Sequence, residues 1–159
     1  QVQSIGVTAD RLHELENNLL LFYMGTESSA EKILQDQKKR AGENEKALLT
    51  MMQMVDHAEH ILAASGPLTE FGNLLHESWQ LKRSLANGVS NPQIDQAYET
   101  ARSAGACGGK LLGGGGRGFI CLYAEPEKQV AVRSALKGLN EVSFGFSAEG
   151  SRIIFKSDE

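Results

Sequence analysis

An α+β fold built on a split β-α-β sheet with added helices is predicted by three features of this 159-residue chain. Two apolar runs too short for helices, NLLLFYMG and GFICLYA, read as buried strands. Several intervening segments carry helical spacing with capping signals, and a glycine-dense turn, GACGGKLLGGGGRGF, separates two strand-like stretches. Without the added helices, the order is strand, helix, strand, glycine loop, strand, helix, then a strand or hairpin. That is the ferredoxin-like arrangement, with one sheet face covered by helices.

The elements follow in order. NLLLFYMG ends at a glycine, as a buried strand does. Ser28 and Glu31 stand at capping-box spacing ahead of Ile33 and Leu34, so a helix is predicted from about residue 28 towards Arg40, broken by Gly42. A second helix spans Glu43 to Ala64, with Leu48, Met51, Met52, Val55 and Leu62 forming its apolar stripe. Its methionines are read as core filling, and His57 and His60 as a surface pair. A third helix opens after Pro67 and closes at Asn87-Gly88. Its stripe of Leu68, Phe71, Leu74, Leu75, Leu81 and Leu85 contains Ser78 and Lys82, while His76, Trp79 and Arg83 flank it. A lysine inside such a stripe either snorkels to water or meets an anion.

A fourth helix opens at Ser90, with Pro92 in its first turn and Gln93 at the capping-box position, burying Ile94, Ala97, Tyr98 and Ala101. After the glycine stretch and GFICLYA, Pro126 opens a last helix carrying Val132, Ala135 and Leu136, which stops at Gly138. EVSFGFSAEGSRIIF then reads as a hairpin or one interrupted edge strand.

The bulk numbers narrow the function classes. A net charge of -4 and a pI near 5.6 argue against a nucleic-acid footprint. No apolar run approaches the roughly 20 residues of a membrane span. Cys107 and Cys121 form no CxxC pair, which suits free thiols in a reducing cytoplasm. The chain, starting at Gln1 in structured-looking sequence, is read as part of a longer polypeptide.

The glycine turn holds eight of the 17 glycines, so ordering it costs much backbone entropy and calls for a cause. It is not a Walker A loop: Gly109-Lys110 is followed by Leu111, and Ala104 stands where the first glycine belongs. Gly113, Gly115 and Gly118 fit GxGxxG, yet the dinucleotide fingerprint leads into a helix and this turn leads into a strand. The protein-kinase version needs HRD and DFG motifs downstream, and they do not occur. Two readings remain: a nest of main-chain N–H groups for an oxyanion, flanked by Lys110 and Arg117, or a hairpin tip and close helix-on-strand packing.

The stretch FGNLLHESWQLKRSLANGVSNPQIDQAYETARSAGACGGKLLGGGGRGFICLYAEPEKQ resembles the C-terminal half of the GHMP small-molecule kinases, and within them the D-glycero-D-manno-heptose 7-phosphate kinase group. The likeness extends to LLLFYMG, ILQDQ and GSRIIF. It implies that residues 1–159 are a GHMP kinase C-terminal domain and that Gly105 to Gly118 are the family's third, glycine-rich motif at the cleft between two lobes. The family's usual GAGGGGF has Gly114 here for its alanine and Arg117 for a glycine, and Ser28 stands where an arginine is common.

The resemblance further implies an ATP- and Mg²⁺-dependent transfer to a sugar phosphate, such as the anomeric hydroxyl of a heptose 7-phosphate. The ATP loop, PxxxGLGSS, and the catalytic acid would belong to an N-terminal lobe, so no catalytic residue is expected in this chain and the chain alone is expected to be inactive. Candidate substrate- or phosphate-binding residues are Lys82, Gly108, Gly109, Lys110, Gly113, Gly114, Gly115, Gly116 and Arg117. Rival readings are another sugar kinase, such as a fucokinase, and a ferredoxin-like ligand-sensing module without chemistry.

Overall fold

The computed structural model describes residues 5–25, 30–147, 150 and 153. Its elements are α1 (Ala9–Asn18), β1 (Leu19–Tyr23), α2 (Ala30–Lys39), α3 (Glu45–Ala63), α4 (Thr69–Ser84), α5 (Pro92–Ser103), β2 (Gly108–Leu111), β3 (Phe119–Tyr123), α6 (Pro126–Ala135) and β4 (Asn140–Glu141). The four strands form one antiparallel sheet of order β2-β3-β1-β4, the split β-α-β arrangement. Leu21 pairs with Cys121 and Lys110 with Cys121 from the other side, so β3 lies in the middle of the site-bearing half of the sheet.

Side chains alternate across the pleat and feed two cores. Leu20, Phe22, Leu111, Ile120 and Leu122 pack on one face with Ile94, Tyr98 and Ala101 of α5, Val132 of α6 and Trp79 of α4. Tyr123 points to the opposite face and joins Leu15 of α1, Ile61 of α3, and Leu68 and Leu74. Helical side chains thus pack on both faces, where the sequence suggested one. Helix α4 serves both cores, and Trp79, a flank of its apolar stripe in the sequence, is fully buried. Next to it, the Tyr98 hydroxyl lies 2.6 Å from Nδ1 of His76, whose pKa burial lowers.

Several boundaries differ from expectation for local reasons. Helix α1 was not anticipated; the Thr8 hydroxyl caps it by accepting from Arg11 N. The cap of α5 is Asn91 and not Ser90: its Oδ1 accepts from Ile94 N, while Ser90 Oγ donates to Asp95. The buried set predicted for α5 is the one found. On α3 the packed face is turned by roughly a quarter-turn at 100° per residue: Ile61 is buried and Met54, Ala58 and Leu62 pack, whereas Leu48, Met52 and Val55 are exposed. Leu34 of α2 and Ala135 of α6 are likewise exposed. His57 and His60 are at the surface, and both cysteines are free. Ser28 lies outside the described residues, as does most of the segment that would decide the C-terminal hairpin.

Beyond β4 the chain continues along β1, with Val142 N donating to Leu21 O and Phe146 N to a Glu16 carboxylate oxygen at 2.7 Å. At the far end of β1, buried Asn18 donates to the hydroxyl of buried Tyr123 at 2.9 Å, and burial pushes that phenol up to about 12. Tyr123→Phe leaves the Asn18 amide without this partner inside the protein. Thermal or urea melts are expected to show a loss of about 1–3 kcal/mol.

Candidate functional site: a glycine loop beside two lysines

The β2–β3 hairpin carries the loop Leu112–Gly118, closed at its base by Leu112 N donating to Phe119 O. Its path requires glycine: Gly113, Gly115, Gly116 and Gly118 have φ of 83°, 113°, 72° and 107°. Gly115 has a second constraint, because a methyl group there would lie 2.8 Å from Val89 Cα. The loop is held on two sides. Gly116 N donates to Val89 O, and Asn91 Nδ2 donates to Gly116 O at 3.1 Å. Gly118 N donates to Gly25 O, and Met24 N to Gly118 O. The N–H groups of Gly113, Gly114 and Gly115 find no acceptor among the described residues.

Lys82 reaches this loop from the last turn of α4, its ammonium donating to Gly113 O at 2.5 Å. The lysine inside the apolar stripe is therefore half-buried with its charge on a loop carbonyl. Burial, then the nearby charge of Lys110, lowers its pKa. Among the described residues neither lysine forms an ion pair. Lys110 also neighbours Cys121, whose thiol burial pushes up to about 11 against the lysine's opposing pull. Beside the lysine lies a hollow of about 760 Å³, lined by Lys110, Cys121, Phe71, Leu75, Leu112 and Phe146. A smaller one of about 200 Å³ between α3 and α4 shares Lys110 and adds Ser78, Met51 and Met54. Two cations without a carboxylate, at an apolar wall and next to unengaged amides, suit an anion.

Lys82 thus touches the loop at Gly113 and lies within electrostatic reach of Lys110, which lines the hollow with Leu112, while Gly116 anchors the loop to Val89 and Asn91. Arg117 is exposed on the loop and has an interaction partner. Gly108 and Gly109 are buried in β2, and packing accounts for both. A methyl group on Gly108 would collide with Gly72 O and come within 2.9 Å of His76 N, since α4 crosses the strand there. One on Gly109 would meet Leu122 Cδ2 at 2.8 Å. The sequence reading overlooked Val89, Asn91 and Met24 as supports of the loop; Asn91 ahead of Pro92 was the available signal, as a helix cap.

Residues 59–141 match the family described as GHMP kinases C terminal. The chain belongs to that family. It is 30% identical over 142 residues to D-glycero-alpha-D-manno-heptose 7-phosphate kinase of Campylobacter jejuni, covering 86% of this chain and 41% of that protein. It is 33% identical over 151 residues to a mevalonate kinase of Pyrococcus horikoshii, covering 87% and 44%. The crystal structure of L. major mevalonate kinase with R-mevalonate superposes with a TM-score of 0.65 at 25% identity, over 76% of this chain and 37% of the other. The chain therefore spans less than half the length of these relatives. No helix among the described residues is long and apolar enough to cross a membrane.

Proposed function

We propose that residues 1–159 are the substrate-facing C-terminal lobe of a cytoplasmic, ATP-dependent kinase whose acceptor is a sugar phosphate, a heptose 7-phosphate phosphorylated at its anomeric hydroxyl. The observation carrying this reading is the set of Gly113–Gly115 amides beside the Lys82–Lys110 pair, the amides without an acceptor and the lysines without a carboxylate partner among the described residues. Their chemistry fits phosphate: N–H and ammonium donors match its oxygens, and positioning with charge stabilisation makes up most of phosphoryl-transfer catalysis. ATP, when bound, supplies the phosphoryl group.

In this reading Lys82 holds the anionic end of the acceptor, while the loop amides and Lys110 steady the phosphoryl group in transfer from ATP. Holding an anion near both ammonium groups also relieves the repulsion between them. The apolar wall of Phe71, Leu75 and Leu112 limits water near the donors and so strengthens them. Among the described residues no group of three His, Cys, Asp or Glu side chains could hold a metal ion. Mg²⁺ and the base that activates the acceptor hydroxyl are assigned to the N-terminal lobe, which is the chain's required partner.

A mevalonate-type acceptor is the second reading, favoured by the apolar character of the hollow and by the mevalonate kinase relative. The test is phosphorylation by the full-length polypeptide with ATP and, in turn, heptose 7-phosphate, fucose and mevalonate. The primary reading expects kcat/KM for heptose 7-phosphate at least tenfold above the others. A preference for mevalonate transfers the assignment to the second reading, and fucose to a third acceptor class. No turnover with any acceptor points to a sensing module. Residues 1–159 alone are expected to show no turnover.

A further inference from the structure

The turn between α4 and α5 touches the glycine loop while being fastened to both helices. Arg83 of α4 pairs with Asp95 of α5 at 3.1 Å, and Ser90 Oγ donates to the same carboxylate oxygen at 2.6 Å. Val89 is fully buried, and Gly88 turns the chain at φ 81°. This anchored turn presents two groups to the loop: Val89 O, which accepts from Gly116 N, and Asn91, which donates through Nδ2 to Gly116 O. Gly116 is thus gripped at both polar atoms. Asn91 has a second bond, because its Oδ1 accepts from Ile94 N as the cap of α5. One amide group therefore ties the helix start to the loop, and neither bond can lengthen without moving the other.

We propose that Asn91 is a positioning residue for the phosphate-facing loop: it holds Gly116 fixed so that the preceding Gly113–Gly115 amides converge on one oxyanion. This rests on the proposed reading of the loop as a phosphate cradle. Preorganised donors lose their effect when displaced by about an ångström, so releasing the clamp costs catalysis with little cost to the fold. Serine suits the test because it is a good helix cap and too short to reach Gly116 O.

The experiment is Asn91→Ser in the full-length kinase, with Asn91→Asp beside it; aspartate keeps the shape and the cap but loses the donor. Both variants are expected to keep Tm within a few degrees and to keep the acceptor KM. Both should lose about tenfold in kcat/KM for ATP, and the Gly116 amide should exchange its hydrogen about tenfold faster even without ATP. Wild-type kinetics and wild-type exchange in both variants overturn the proposal. So does a loss accompanied by fast exchange throughout the first turn of α5, which assigns the asparagine to capping alone. ATP protection of the Gly113–Gly115 amides in the wild-type enzyme separates the two layers. If ATP leaves their exchange unaltered, the cradle reading fails and the clamp with it. If ATP protects them in wild type and equally in both variants, only the role of Asn91 fails.

Discussion

Gly108→Ala is expected to cost about 3 kcal/mol or more and to lower Tm by roughly 6–12 °C. Overpacking a core usually costs 1–3 kcal/mol, and the upper end applies here because the obstacle is main chain. The new methyl group collides with Gly72 O, and His76 N and the Gly72 carbonyl carbon both stand at 2.9 Å, so no rotamer change relieves it. Helix α4 would have to lift from β2, loosening Leu74 and Tyr123 on one face and Trp79 on the other. Gly138→Ala is the control: open space surrounds that position, and its stability should change by no more than about 0.5 kcal/mol. Thermal and urea melts check both. A Gly108→Ala protein that melts like wild type contradicts the close crossing of helix and strand.

On the proposed kinase reading, Lys82→Met should raise the KM for the anionic substrate about 10- to 100-fold in the full-length polypeptide, the range expected for losing one charge-assisted hydrogen bond. Methionine retains the aliphatic bulk of the stem within the α4 stripe, and removing the charge ends the repulsion from Lys110. Stability should therefore change by less than about 1 kcal/mol. Steady-state kinetics with a parallel melt test the claim. A wild-type KM would remove Lys82 from substrate binding and leave it as a prop for Gly113 O, whereas a large drop in Tm would assign it to the fold.

The split β-α-β class and most helices were legible because period and punctuation agree along the chain. NLLLFYMG and GFICLYA announce strands, Pro92 and Pro126 announce helix starts, and the α5 burial pattern follows directly from 3.6-residue spacing. What escaped was tertiary. Helix α3 has apolar residues around much of its circumference, so the single stripe read from periodicity was not the one buried, and docking against α4 selected Met54, Ala58 and Ile61 over Leu48, Met52 and Val55. Trp79, read only as a flank of the stripe, is buried because α4 is gripped from two sides, which a one-stripe analysis does not reveal.

The glycine cluster has two origins that no sequence motif separates. Gly108 and Gly109 are absent side chains demanded by neighbours, while Gly113, Gly115 and Gly116 are backbone angles demanded by the turn. Of the candidate readings of the cluster, close helix-on-strand packing accounts for Gly108, which a methyl group would drive into α4. The clamp formed by Val89 and Asn91 was invisible because it is a tertiary contact across 25 or more residues, and the sequence reading placed the cap at Ser90 and gave Asn91 no role.

Helix α4 carries Gly72, seated on the strand, and Lys82, touching the loop, ten residues apart, or about 15 Å of rise. The helix is thus a ruler with one end bolted down. Inserting a single residue between these positions would swing the ammonium some 100° around the axis, away from Gly113, while the bolted end stayed in place. Across descendants of this gene, changes of length should collect in the stretch before Pro67 and spare the span from 72 to 82.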